Sequence, residues 1–167
     1  MTVRPTLATD LPLLPAIERS AAQAFRQYPR LAWLADSEVM DEAAHAEFFL
    51  AGTSWVAVDA QDRPLGFLCA NRVDAVLHID ELSVRQDAQG QGLGRQLLDR
   101  AVAAARQLGL QAVTLTTFGE VPWNGPFYQR YGFERLGDAA LDQRLKTILA
   151  GERAHGLEDR CAMRLAV

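Results

Sequence analysis

The segment Gln89-Gly90-Gln91-Gly92-Leu93-Gly94-Arg95 sets three glycines at alternate positions ahead of an amphipathic run. That spacing predicts a turn between a strand and a helix, where backbone N–H groups are unpaired and the helix dipole is positive. Glycine lets the backbone approach a phosphate closely and adopt conformations a side chain forbids, so amides can cradle an anion. Arg95 adds charge at the helix opening. Taken alone, the segment also reads as a tight turn that needs positive φ. Residue type excludes two other phosphate loops. There is no Gly-Lys-Ser/Thr ending for a Walker loop, and no first-strand position or acidic ribose partner for a dinucleotide fold. Just upstream, His78, Asp80 and Glu81 share the run Ala75–Val84. His78 has an intrinsic pKa suited to a base and is equally readable as structural. Tyr28, Trp33 and Trp123 could wall a pocket and engage a cation, or bridge helices as core.

The elements that must position these residues follow from periodicity. Thr2-Val3-Arg4 starts a strand, and Thr9-Asp10 signals a helix carrying Leu11, Leu14, Ile17, Ala21 and Phe25 on one face. Pro12 is tolerable in a first turn, whereas Pro15 predicts a kink or a later start. Residues 26–35 read as an aromatic loop around Pro29, followed by a helix from Asp36 or Ser37 to Gly52. Trp55–Val58 and Gly66–Ala70 form a hairpin across a polar turn, with Ala75–Val84 a third antiparallel neighbour. After the glycine-rich turn, Leu97, Leu98, Ala101, Val102, Ala105 and Leu108 mark a helix that stops at Gly109. The strand Ala112–Phe118 then lies parallel to Ala75–Val84 through a right-handed crossover. A short helix at Pro126–Arg130, a strand at Phe133–Leu136, a helix at Ala139–Ala150 and a strand at Cys161–Leu165 complete the chain. The prediction is α+β (mixed α/β): a mostly antiparallel twisted sheet with one splayed parallel pair and helices on both faces.

The 167 residues, 49% hydrophobic and 23% charged, suit a single domain spanning residues 1–167. No run is long enough to cross a bilayer, and the N-terminus lacks an apolar signal core, so a cytoplasmic protein is expected, with no membrane partner. A net charge of −4 without a Lys/Arg block argues against nucleic acid. Cys69 and Cys161 lie far apart, without a CxxC pair or histidine cluster, so buried reduced thiols are expected and no metal.

The run from Glu81 to Gly94 resembles the cofactor strand and pyrophosphate loop of the GNAT superfamily of acetyl-CoA-dependent N-acetyltransferases. Asn124-Gly125-Pro126-Phe127-Tyr128 followed by Tyr131-Gly132-Phe133 resembles its C-terminal signature, with the same spacing between the aromatic pair and the Gly-Phe pair. The predicted element order agrees along nearly the whole chain. By that resemblance, the strands at Ala75–Val84 and Ala112–Phe118 splay apart and admit the pantetheine arm of acetyl-CoA. The backbone of Leu82, Ser83 and Val84 would pair with pantetheine, and residues 89–95 would hold the pyrophosphate. Asn124 matches a residue that contacts the cofactor or orders its loop, with a helix N-cap as the alternative; Phe127 belongs to the same cofactor-binding set.

Acetyl transfer to an amine needs a neutral nucleophile, a stabilised oxyanion and a proton for the departing thiolate. The resemblance implies Tyr128 as the acid, with a core aromatic beside Phe127 as the alternative. It implies Glu81 as the base and the Val84 N–H as the oxyanion donor. Asp80 is the rival base or a cation-binding residue. Alternation puts it opposite Glu81, but the family's strand carries a bulge here, so parity does not choose between them. His78 stays a third candidate. The acceptor is expected to be a small-molecule or peptide amine, met by Tyr28, Trp33, Asp80 and Trp123, and a homodimer is possible. A cofactor-binding sensor without turnover and a transferase of longer acyl groups are the competing functions.

Overall fold

The computed structural model describes residues Met1–Val167 as seven strands and five α-helices. The strands are β1 (Thr2–Pro5), β2 (Ser54–Val58), β3 (Pro64–Val73), β4 (Val76–Val84), β5 (Ala112–Phe118), β6 (Glu134–Arg135) and β7 (Arg160–Ala166). The helices are α1 (Leu14–Ala22), α2 (Glu42–Ala51), α3 (Leu93–Gln107), α4 (Gly125–Tyr131) and α5 (Gln143–Ala154). The strand order is β1-β2-β3-β4-β5-β7-β6, with β4 and β5 the parallel pair, so the predicted mixed sheet is the one observed. The chain packs as two compact units, Met1–Asn71 with Asp80–Ala104, and Arg72–Ile79 with Ala105–Val167.

In the first unit, β1 pairs antiparallel with β2 from Thr2/Val58 to Pro5/Trp55, and β2 pairs antiparallel with β3. Period-two alternation sends Val56, Val58, Phe67 and Cys69 to one face, where Leu11, Leu14, Ile17 and Phe48 cover them. Val3, on the opposite face, borders a groove with Gln96, Asp99, Arg100 and Ala103 of α3, so helices lie on both sides of this sheet. Arg4 ties the unit's edge together, donating to Asp10 at 2.7 Å and to Asp62 at 2.8 Å.

In the second unit the parallel ladder of β4 with β5 has three rungs, Val76/Ala112, Leu77/Val113 and His78/Thr114. On its other side β5 pairs antiparallel with β7 along its whole length, from Ala112/Ala166 to Phe118/Arg160. Below α5, Glu152 accepts from Thr116 and Arg160, both at 3.1 Å, and the Arg160 guanidinium lies 4.6 Å from the Phe118 ring centre.

Several boundaries differ from expectation for local reasons. The first helix is a 3-10 turn at Ala8–Leu13 before α1, because the two prolines leave Pro15 at the tolerant second helical position. The aromatic loop holds two further 3-10 turns, Gln23–Gln27 and Ala32–Asp36, closed on each other by an Arg26–Asp36 ion pair at 2.6 Å. The second helix therefore begins after Asp41, whose carboxylate accepts from the Ala44 N–H at 2.8 Å, and not at Asp36. Likewise α5 begins after Asp142, which accepts from Leu145 N–H at 2.8 Å, while Asp138–Ala140 forms only a 3-10 turn. Both cysteines are free and buried.

Candidate active site

In the first unit, the end of β4 carries the carboxylates. Glu81 and Ser83 are two residues apart on a strand and so share a face; the Ser83 hydroxyl donates to the Glu81 carboxylate at 2.8 Å. Asp80 is exposed and accepts from the Asn71 side-chain amide at 2.9 Å. The rivals thus have different partners: Asp80 is held by β3, and Glu81 by its own strand.

Glu18 of α1 escaped the sequence reading. Its Oε2 accepts from the Met40 N–H at 3.0 Å. Burial, then the charge of Glu81, push this carboxyl up to about 8, against the Met40 hydrogen bond that lowers it. Burial and the charges of Glu81, Asp80 and Glu18 also raise the Cys69 thiol well above its ordinary value, so it is no thiolate nucleophile. One signal was available. Glu18, half-buried, stands four residues after Leu14 and one after Ile17, beside the buried stripe of α1, where an unexplained carboxylate is unusual.

The loop from Arg85 to Gly92 is tied at both ends. The Gln86 N–H donates to the Ser20 hydroxyl at 3.0 Å, and the Gln89 side-chain amide turns back to the Val84 carbonyl at 3.0 Å. Gly90 and Gly92 have φ of 77° and 80°, with no atom near an added Cβ, so the requirement is left-handed backbone and not lack of space. Gly92 then accepts the first helical bond of α3, from Gln96 N–H at 3.1 Å. Leu93 is the buried anchor of that helix start, Leu82, Val84 and Gly94 are half-buried, and Gln91 and Arg95 are exposed. The expected turn on a helix N-terminus is present.

In the second unit, Tyr128 is 7% exposed on α4, edge-on to Phe127 at 5.2 Å and to Phe133 at 5.7 Å. Half-buried Asn124 occupies the N-cap position, but its side chain makes no capping bond; its carbonyl accepts from Tyr128 N–H at 3.0 Å. The side-chain capping alternative is therefore not what this residue does. An added Cβ on Gly125 would overlap the Gly119 carbonyl, so this glycine is required by backbone contact. His78 is 6% exposed, and its Nδ1 lies 2.9 Å from the Thr114 hydroxyl, which Arg144 also reaches at 3.3 Å. Burial, then Arg144, lower its pKa to about 4, against Asp142. This histidine is neutral at pH 7, and its Nδ1 is engaged with Thr114.

The aromatics divide between the units. Tyr28 is half-buried and Trp33 is 46% exposed on the folded loop of the first, so Trp33 is not core; Trp123, half-buried, belongs to the second. No three His, Cys, Asp or Glu side chains group as a metal site, and no helix is long and apolar enough to cross a membrane.

The sequence pattern of the acetyltransferase (GNAT) family matches residues 17–133, from α1 through the Gly132-Phe133 pair. The chain belongs to that family. It is an acetyltransferase, with acetyl-CoA as its co-substrate. The chain is 29% identical to the peptidyl-lysine N-acetyltransferase YjaB of Salmonella typhimurium, over 77% of this chain and 80% of that protein. It is 34% identical to the mycothiol acetyltransferase of Geodermatophilus obscurus over 70% of this chain, and spans only 40% of that longer protein. Among solved structures, Rv2747 of Mycobacterium tuberculosis, crystallised with CoA and NLQ, matches over 100% of this chain and 99% of its own, with a TM-score of 0.75 at 17% identity. The PaiA N-acetyltransferase of Thermoplasma acidophilum, solved with coenzyme A, matches over 99% and 98% with a TM-score of 0.73 at 13% identity. These two likenesses establish the GNAT fold.

Proposed function

We propose that the chain moves an acetyl group from acetyl-CoA directly to a primary amine of a small molecule, peptide or protein, with both substrates bound at once. Residues 1–167 act in this reading as one acyl-CoA N-acyltransferase domain, since β4 and α3 each run through both units. The observation that carries the reading is the length of the parallel ladder. It stops at His78/Thr114, while β4 continues to Val84. Backbone groups of Leu82, Ser83 and Val84 are then available to pair with the amides of pantetheine, as a further strand would.

Gly90, Gly92 and Gly94, with Gln89, Gln91, Leu93 and Arg95, hold the pyrophosphate through amides at the start of α3. Asn124 and Phe127 flank the cofactor. The acceptor reaches the thioester as a free amine after Glu81 has taken its ammonium proton. Attack forms the C–N bond, the Val84 N–H stabilises the oxyanion, and collapse breaks the C–S bond. Tyr128 gives its phenolic proton to the departing thiolate and is reprotonated from the amide-forming nitrogen. The YjaB relative favours a lysine side chain as the first acceptor class to try, with Tyr28, Trp33, Asp80 and Trp123 around it.

The test is thiol release from acetyl-CoA across a panel of amines, lysine peptides and proteins. Acceptor-dependent release that falls in Tyr128→Phe and Glu81→Gln is expected. Tight acetyl-CoA binding without release for any acceptor would replace this reading with a non-catalytic binding module.

A further inference from the structure

Ser83 is only 5% exposed, and a buried hydroxyl needs a partner to offset its lost hydration. It donates to Oε1 of Glu81 at 2.8 Å. The two residues share a face of β4, so the bond turns the flexible Glu81 side chain along its own strand, toward Val84. The backbone that carries the donor is itself fixed from β3. The Arg85 N–H donates to the Leu65 carbonyl at 2.8 Å, and a Cβ added at Gly66 would meet the Ser83 carbonyl at 2.9 Å, so this close approach requires the glycine. A carboxylate offers about four acceptor sites, so one hydroxyl orients it without saturating it. A donor to the ionised form also favours that form.

We propose that Ser83 is a positioning residue for Glu81: its side-chain hydroxyl aims the carboxylate along the stretch of β4 beyond the parallel ladder and keeps it ionised to accept the proton of a primary ammonium. This role belongs to the side chain and is separate from the backbone pairing with pantetheine. The inference rests on the reading of Glu81 as the base. The proton balance closes simply. The ammonium proton passes to the Glu81 carboxylate and from there to water after the acetylated product leaves, while Ser83 donates throughout and transfers nothing. The ionisable groups that share the electrostatic surroundings of Glu81 are Asp80 on its own strand, Glu18 on α1 and Cys69 on β3. Asp80 accepts from Asn71 at 2.9 Å, and the charge of Glu81 acts on Glu18 and on Cys69. All three are unaltered when position 83 alone is changed, so a pH shift in such a variant reports the hydroxyl.

The probes are acetyl-CoA and an Nα-blocked lysine amide, with log(kcat/KM) followed against pH. Ser83→Ala should move the acid-side inflection upward by about one pH unit and lower kcat about tenfold. Ser83→Thr, which restores a hydroxyl on a residue type that strands accept, should return the inflection to its wild-type position and kcat to within about threefold. In a Glu81→Gln background, Ser83→Ala should cost less than about twofold, because the two changes remove the same interaction. Acetyl-CoA affinity, read by calorimetry, should stay within about twofold in every variant, since the backbone of β4 is retained. A further readout needs no turnover. In protein labelled with ¹³C at glutamate Cδ, the Glu81 resonance, identified by its absence from Glu81→Gln, should titrate at higher pH in Ser83→Ala than in the wild type. An inflection and a resonance that keep their wild-type positions in Ser83→Ala, or an equal loss from Ser83→Ala with and without the Glu81 carboxylate, would overturn the proposal. An inflection that survives Glu81→Gln would instead remove Glu81 as the base and this role with it, even where the resonance still shows the bond.

Discussion

Glu18 in the first unit and His78 in the second are both held neutral at pH 7, and burial is the largest cause for each, yet they differ in what lies beside them. For Glu18 the negative charge of Glu81 adds to the burial. His78 faces a hydroxyl at 2.9 Å and the cation Arg144, which add up to a satisfied structural position. A shifted pKa therefore marks a functional candidate only when its neighbour is itself a group the chemistry can use. The same contrast separates the glycines: Gly92 answers to backbone conformation in open space, and Gly125 to a neighbouring backbone in contact.

Tyr128 is where the second unit is expected to break this contrast, since it combines a packed ring with the proposed role of acid. Tyr128→Phe keeps the edge contacts with Phe127 and Phe133 and removes only the hydroxyl. The expected loss in kcat is about 100-fold, with acetyl-CoA affinity unchanged by calorimetry. An unchanged kcat with lowered melting temperature would return Tyr128 to the packing side.

Gly125→Ala should cost about 2 kcal/mol of stability, because the new Cβ meets backbone and not a movable side chain. Chemical denaturation measures it. A loss below about 0.5 kcal/mol, the level of ordinary surface changes, would mean that the turn after β5 shifts to make room.

Glu18 and His78 predict opposite pH slopes. Glu18 has a raised folded pKa, so its stability contribution is complete below the unfolded value of 4.5 and is lost as pH rises toward about 8. His78 has a lowered one; its neutral form is the folded form, and stability is lost as pH falls from 6.5 toward about 4. Each slope is at most about 1.4 kcal/mol per pH unit. Denaturation series should show the loss between pH 6.5 and about 8 reduced in Glu18→Gln and the loss below pH 4.5 reduced in His78→Asn, the two contributions opposing each other between 4.5 and 6.5.

The sheet, the parallel crossover and the turn at the start of α3 were legible because each is a local signal: alternation, an intervening helix, glycines before an apolar stripe. Helix starts were less so, since Asp36, Ser37 and Asp41 all offer capping oxygens and only the Arg26–Asp36 ion pair commits the first of them elsewhere. Alternation does not choose between Asp80 and Glu81, and only the fold shows that they have different partners, Asn71 and Ser83. Glu18 was the least visible because what acts on it lies on other segments, the Met40 N–H 22 residues away and the charge of Glu81.

Gly92 gives the smallest expected effect on stability and sharpens the glycine contrast most directly. Gly92→Ala places a β-carbon on left-handed backbone and should cost about 1 kcal/mol, with no contact to relieve. Asn tolerates that conformation, so Gly92→Asn should recover much of the stability. It should not recover the cofactor, because any side chain there stands between the amides and a phosphate. Stability restored with acetyl-CoA affinity still reduced separates conformation from access. Affinity restored together with stability would instead mean that Gly92 serves the fold of the loop alone.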